Sequence, residues 1–444
     1  MTQAEIINFE PSEMEYKPDD DQLAIMLAED WQNKVRYFHD GWHVYENGCW
    51  TERQQPEVNL QARKFLRTFR KQGIKVSKRQ VTSVVSMAED DCFVPDRELV
   101  EHQKAQKRYI NLRNGLFDLE TMELTDHKPG LFFTNQLGFD FDEDAHCPTF
   151  HKFLRTSLRD ESGEPDGTMI ALVEEALAYS MTARTDLKAS FWLVGKPDSG
   201  KSTLLRLISD LMGELHTTVD LNQLGANRFL LSGILGKRCV TFSEASASTI
   251  LPDALYKAMV GGTDEIYVDR KNRDAVSFVP EAKFWWAMNE SPRITDRSGA
   301  TFNRLNVILF NRTVPANERI YDLSQQLRAE RDGIFSHLMN AYKRLIRRGG
   351  FPVPGVSRDW KENYRRENDT ELSFLEERCV PAHDKRVQSQ TLYDAYKTWC
   401  ERNGFRPKNI NQVHKDWERL GLQKAASMGV KYWHGVKLRE NVQM

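Results

Sequence analysis

Apolar and polar residues alternate through positions 35–50 (Val35, Tyr37, Trp42, Val44, Trp50) around Asp40-Gly41 and Asn47-Gly48. That is the turn chemistry of short hairpins, and it predicts a small antiparallel sheet. Helical periodicity replaces it at 58–72 and 78–88, with basic residues on the polar side. Residues 109–145 return to strand and turn, with Asn114-Gly115 and His127-Lys128-Pro129-Gly130 as breakers. A helical region is expected over 150–181, interrupted near 163–167. Strands and helices then alternate at 190–194, 202–211, 238–242, 255–260, 284–288 and 306–310, the pattern of an α/β sheet with a ligand at its strand ends. Gly349-Gly350 and the Pro352, Pro354, Gly355 cluster mark a boundary. After it, Ser357 is expected to cap a helix through 367, and 372–438 reads as three helices and a terminal hairpin. Residues 1–22, with Pro11, Pro18 and three consecutive aspartates, read as a disordered acidic tail.

Composition changes this picture little. The chain has 444 residues, 40% hydrophobic and 28% charged, enough for two to four ordinary domains, and no apolar run nears the roughly 20 residues of a membrane span. The N-terminal residues lack the basic and apolar regions of a secretory signal, so a cytoplasmic protein without a membrane partner is expected. Six dispersed cysteines without a C-x-x-C pair suggest neither a disulfide framework nor a zinc ribbon. Cys147 and His151 could share a helix face, but without further ligands they read as packing residues. Net charge is -2, yet its distribution is uneven. Residues 1–30 hold nine Asp/Glu against one Lys, whereas 381–444 hold twelve Lys/Arg against six Asp/Glu, which suits the tail to an acidic partner.

The candidate chemistry begins at Gly195-Lys196-Pro197-Asp198-Ser199-Gly200-Lys201-Ser202, followed by Thr203. Glycines at this spacing let backbone N–H groups curl around phosphate, Lys201 reaches the β/γ-phosphates, and the Ser202 hydroxyl suits Mg²⁺, so ATP and Mg²⁺ are the expected cofactors. Hydrolysis also needs a carboxylate at the end of a neighbouring strand. Glu244, after Cys239-Val240-Thr241-Phe242-Ser243, is the candidate water-orienting base, touching the metal through water. Ser243 stands where a second acid is common. Asn289, the polar amide that ends the expected strand 283–289, could hold the attacking water, although a turn-forming role is nearly as well supported by the segment alone.

With these residues the chain resembles the superfamily 3 helicases of the phage and plasmid primase-helicase group, which includes satellite-phage and poxvirus replication proteins. The resemblance rests on the phosphate loop, Lys257-Ala258-Met259-Val260-Gly261-Gly262, Asp264, Arg270-Lys271 and Asn289-Glu290-Ser291-Pro292. It implies an α/β fold, with a P-loop, AAA+-like ATPase core, an α+β N-terminal domain, a helical collar and a C-terminal winged helix. The corresponding segments are 23–145, 146–185 (collar), 186–320 (ATPase core), 321–356 (helical linker) and 357–444 (winged helix). The primase domain usual upstream in the family has no counterpart in the first hundred residues, so no primer synthesis is expected.

The resemblance further implies a ring, usually a hexamer, in which Arg304 acts as a finger on ATP held by the neighbouring subunit. Asn303 replaces the first of the family's paired arginines. Arg270, Lys271 and Arg273 would form a basic hairpin tip that grips DNA. Asn411, Lys415 and Arg419 share a helix face and are further candidates for DNA contact. The expected function is ATP-dependent, 3′-to-5′ unwinding of single-stranded and forked DNA during replication of a mobile element, with a separate primase as a possible partner. An origin-binding initiator ATPase, a ring ATPase remodelling nucleoprotein and a degenerate ATPase scaffold are the alternatives.

Overall fold

The computed structural model describes residues 17–32, 34–220, 230–242, 250–251, 253–270, 273–288, 291–294, 299–427 and 429–439. Its first helix, α1 (Asp20–Asp30), starts inside the segment expected to be a disordered tail. Asp19 accepts the Gln22 amide while the Gln22 side chain returns to the Asp19 amide, closing a capping box. Asp20 and Asp21 then occupy the positive end of the helix dipole, and Leu23, Ala24 and Leu27 are buried. The aspartate run is thus a helix start.

Strands β1 (Val35–Phe38), β2 (Gly41–Glu46) and β3 (Cys49–Arg53) form the antiparallel sheet that the alternation predicts. Asp40 and Asn47 take positive φ at its turns. Helices α2 (Gln55–Arg67), α3 (Lys78–Cys92) and α4 (Asp96–Gln106) follow. α4 has no sequence signal, since Leu99 is buried but Val100 is exposed. A second antiparallel sheet, β4 (Tyr109–Leu112), β5 (Gly115–Asp118) and β6 (Leu124–Thr125), is tied to the first by Asn111 Nδ2 donating to Gly48 O at 3.0 Å.

Helices α5 (Pro148–Ser157) and α6 (Gly167–Met181) lead into the central sheet. In chain order come β7 (Ser190–Gly195), α7 (Lys201–Met212), β8 (His216–Val219), β9 (Cys239–Phe242), β10 (Ile250–Leu251), α8 (Asp253–Gly261), the hairpin strands β11 (Ile266–Arg270) and β12 (Arg273–Phe278), β13 (Lys283–Met288), β14 (Arg293–Ile294), α9 (Ala300–Asn303) and β15 (Leu305–Phe310). Five strands make one parallel sheet in the order β15-β7-β13-β9-β8. Because both faces are covered, β13 is buried along its whole length and, after the buried Lys283, reads as an apolar run from Phe284 to Met288. Aromatic pairs fill the core, with ring centroids of Phe242 and Trp286 4.1 Å apart and of Phe191 and Trp285 4.5 Å apart. α6 is buried on nearly every side and shares this core.

Helices α10 (Leu323–Ala329), α11 (Arg331–Arg348) and α12 (Gly355–Glu367) complete this layer. Ser357 does not cap α12. Pro354 precedes the helix, and the buried Ser357 hydroxyl donates to Val307 O at 2.8 Å. The last unit comprises α13 (Thr370–Arg378), β16 (Cys379–Gln388), α14 (Ser389–Arg402), α15 (Ile410–Arg419), β17 (Gln423–Ser427) and β18 (Val430–Leu438), around Phe374, Tyr396, Trp417 and Trp433. β16, absent from the sequence expectation, pairs with β18. Among the described residues, no helix is long and apolar enough to cross a membrane.

Two adjacent carboxylates pin α6 to α11. Glu174 takes His337 Nε2 at 2.8 Å and Arg344 at 2.7 Å, and the fully buried Glu175 takes both terminal nitrogens of Arg348 at 2.8 and 2.6 Å. Burial pushes the Glu175 carboxyl above its ordinary range, against the pull of Arg348 and Arg344. Arg348→Met leaves this charge with only the more distant Arg344, Nε at 3.8 Å, and should cost about 3 kcal/mol, the low end for breaking a buried pair, since water reaches the exposed side of Arg348. With its pKa raised further, Glu175 in the folded variant takes up a proton as pH falls, so the loss should be larger at pH 8 than at pH 5. Urea unfolding at the two pH values checks both magnitude and sign.

Candidate functional site

The loop from Gly195 to Ser202 connects the carboxyl end of β7 to the start of α7, where open sheets of this kind hold ligands. Gly195 has φ +147, and a Cβ there would lie 2.1 Å from Phe310 O on β15. Gly200 has φ +107, and a Cβ there would lie 2.7 Å from Ser157 Oγ on α5. Both glycines are therefore demanded by conformation and by space. The loop is braced by Thr313 Oγ1 donating to Pro197 O at 3.1 Å, Val314 N to Asp198 O at 3.0 Å, and Arg319 Nη2 to Asp198 Oδ2 at 3.3 Å.

Lys201 opens α7 with its side chain buried, and its Nζ donates to Gly195 O at 2.6 Å and Lys196 O at 2.7 Å. The ammonium is thereby held over the loop's concavity by neutral carbonyls. The Ser199 hydroxyl is buried with no hydrogen-bond partner among the described residues, a donor that an anion's oxygen would satisfy. Ser202, in the first turn of α7, is exposed toward the same space.

That space is a cavity of about 430 Å³. Pro197 through Thr203 form its floor, Phe153, Thr156 and Ser157 of α5 form one wall, and Val314, Arg319, Ile320 and Leu323 form the other. The walls mix apolar Phe153, Val314, Ile320 and Leu323 with polar Thr156, Ser157, Glu318 and Arg319, which leaves room for a ligand with both a charged and an apolar end. The residues from Gly195 to Thr203 are thus brought together as expected, but the walls were not foreseen. They come from segments more than a hundred residues apart, and no motif announces them.

Glu244, Asn289 and Lys271 fall outside the described residues. The strands leading to the first two, β9 and β13, run parallel to β7, with Met288 opposite Val194, and so end at the loop's edge of the sheet. Arg304 sits at the other edge. It immediately precedes β15, whose Leu305 is opposite Ser190 and whose Phe310 is opposite Gly195. Five residue steps at roughly 3.3 Å put Arg304 about 17 Å or more from its own loop. Its Nη1 donates to Ala300 O at 2.9 Å, and its Nε is buried without a partner among the described residues.

β11 and β12 form the expected hairpin, with Arg270 opposite Arg273. Tyr267, 69% exposed on β11, adds an aromatic surface that sequence reasoning passed over. On α15, Asn411, Lys415 and Arg419 are exposed, as the helical spacing predicts. Arg419, however, donates to Asp369 at 2.6 Å and lies 3.7 Å from Asp416, so its charge is already engaged.

Three family models match the chain. Residues 24–158 match "D5 N terminal like", 193–304 a family of unknown function (DUF5906), and 366–421 "Poxvirus D5 protein-like". Two of these segments, 24–158 and 366–421, are thus similar to D5-type proteins. Among similar proteins, L207/L206 of Acanthamoeba polyphaga mimivirus, provisionally named a helicase, is 25% identical over 66% of the chain. V13 of Sputnik virophage, provisionally named likewise, is 20% identical over 80% of it. The chain spans 33% and 48% of these proteins' own lengths. The apo C-terminal region of NrS-1 shares the fold, with a TM-score of 0.50, 14% identity, and coverage of 95% of this chain and 100% of that one.

Proposed function

We propose that this chain is an ATP-dependent DNA helicase of the superfamily 3 type, working as a ring, with a hexamer as the state the resemblance implies. Replication of a phage, plasmid or other mobile element is the corresponding role, and 3′-to-5′ movement the corresponding polarity. The observation that carries the reading is the separation of Arg304 from the loop of its own chain across one parallel sheet. A cavity built for phosphate at one sheet edge and an arginine at the other form complementary halves when copies stack head to tail.

In this reading the loop amides and Lys201 grip the phosphates, and Ser199 donates to one of their oxygens. Ser202 holds Mg²⁺, with Glu244 acting through water. Bound ATP·Mg²⁺ supplies the phosphoanhydride whose cleavage drives the cycle. Phe153, Val314, Ile320 and Leu323 exclude water from the base. Asn289 positions the attacking water and Glu244 orients it. Arg270, Lys271 and Arg273 follow DNA phosphates, and Tyr267 offers a face on which a base can stack. The last unit, read as a winged helix, adds Asn411 and Lys415 to DNA binding, with Arg419 kept for the Asp369 pair.

The test is strand separation of a forked duplex by the wild-type chain. Separation should require hydrolysable ATP and fall steeply as salt is raised, because the hairpin contacts are to phosphate. Hydrolysis indifferent to DNA, with no strands separated at any salt concentration, would sink the helicase reading and favour a ring ATPase that remodels nucleoprotein.

A further inference from the structure

We propose that Cys147, His151 and His337 bind a divalent transition-metal ion of the zinc class, with a fourth position open to solvent. Among the described residues, the ligand atoms of these three side chains all lie within 4.8 Å of one another. Cys147 immediately precedes α5, and its carbonyl accepts the His151 amide at 3.1 Å, so the two side chains share the helix's first turn. Sγ of Cys147 and Nε2 of His151 are 3.4 Å apart. Tetrahedral zinc, with bonds of roughly 2.3 Å to sulfur and 2.0 Å to nitrogen, spaces its ligands about 3.3–3.6 Å apart. One pair is therefore already at coordination distance, and His337 completes the set by a side-chain shift of roughly 1 Å.

His337 comes from α11, 186 positions beyond His151, and a glycine lets the two segments meet. A Cβ on Gly333 would lie 2.4 Å from His146 O, so any other residue would push α11 away from Cys147. The rings of His151 and His337 meet edge to face with centroids 4.4 Å apart. Glu174 accepts from His337 Nε2 at 2.8 Å, which fixes the ring and leaves Nδ1 with the lone pair. A carboxylate behind a histidine is the support that metal-bound imidazoles commonly have. A cavity of about 460 Å³, lined by these residues with Glu143, His146 and Asn340, gives an ion its way in.

Burial, helped by Glu330 and Glu174, pushes the Cys147 thiol up to about 12, and burial, then His337, lowers His151. An ion would bind an imidazole lone pair of each histidine, and the thiol would exchange its proton for the metal, releasing one H⁺ per ion bound: Cys-SH + M²⁺ → Cys-S-M⁺ + H⁺. Thiolate sulfur with imidazole nitrogen selects zinc-class ions over Mg²⁺ or Ca²⁺. The ion would clamp the first turn of α5 to α11, while the last turn of α5 carries the Thr156 and Ser157 wall of the loop cavity.

The test uses the full chain, stripped with chelator and titrated with Co²⁺ as a spectroscopic probe. One Co²⁺ per chain is expected, with tetrahedral visible bands, a near-ultraviolet thiolate-to-cobalt band, and displacement by Zn²⁺. Cys147→Ser should lose the thiolate band, whereas Cys49→Ser should keep it. His151→Gln and His337→Gln should weaken binding by more than the roughly 10–100-fold expected for the supporting Glu174→Gln. Absence of stoichiometric Co²⁺ in the wild type overturns the site, as does a thiolate band that survives Cys147→Ser. Should Cys147→Ser fail to fold, undiminished Co²⁺ affinity in both histidine variants has the same consequence.

Discussion

Lys201→Ala should lower ATP hydrolysis by roughly 10²–10³-fold, the loss that follows removal of one preorganised donor to developing charge. The magnitude follows from where the ammonium is held. It is buried at the start of α7 and bonded to two carbonyls of its own loop, so it meets an incoming phosphate with little water left to strip. Exchange of two neutral acceptors for charged phosphate oxygens strengthens each hydrogen bond. Alanine leaves the amides and both glycines in place, so the variant should fold, keep its far-ultraviolet spectrum and retain weakened nucleotide binding. Steady-state hydrolysis beside a binding isotherm separates the two effects. A folded Lys201→Ala protein that hydrolyses ATP at the wild-type rate would remove the Gly195–Ser202 loop from the chemistry.

What could be read in the sequence was whatever neighbouring residues determine between themselves. The Trp42 and Trp50 strands were legible because Asp40-Gly41 and Asn47-Gly48 set the turns locally. The loop was legible because glycines and lysine at fixed spacing have few other uses. β16 was not, because Cys379, Val380 and Pro381 carry little strand signal and are held by Leu438, Lys437 and Val436, more than fifty residues later. The aspartates 19–21 misled because polarity was weighed without position, and Ser357 misled because its hydroxyl found a buried carbonyl instead of a helix end.

The same division runs through the sites. Cys147 and His151 were visible as a pair on one turn, but the third ligand, His337, arrives only through the close approach at Gly333. The loop that floors the cavity was visible, but the mixed walls around it are made by tertiary folding. α5 belongs to both places. Its amides at Thr149 and Phe150 are capped by Glu330 at 3.0 Å each, its first turn faces His337, and Thr156 and Ser157 in its last turn face the loop. A rigid α5 is therefore a requirement the two sites share.

Arg304→Ala should reduce hydrolysis by about 10³–10⁵-fold, the range for an arginine that stabilises phosphoryl-transfer charge from a neighbouring subunit. The geometry gives this arginine no access to its own loop, because β15 separates the two by its full length. It also shows what holds the side chain until a neighbour arrives: one bond to Ala300 O at 2.9 Å, with the buried Nε unpaired among the described residues. Turning outward thus costs little hydrogen bonding. Nucleotide binding by the isolated chain should survive the substitution, since no wall of the cavity includes Arg304. The decisive measurement mixes Arg304→Ala chains with Lys201→Ala chains. In an equimolar head-to-tail ring about a quarter of interfaces join an intact loop to an intact arginine, so hydrolysis should recover toward a quarter of the wild-type rate. Rings shown by cross-linking to contain both variants, yet no faster than either alone, would rule out action across the interface. Recovery would mean that each chain carries half of two sites, so that the ring, and not the subunit, is the smallest active unit.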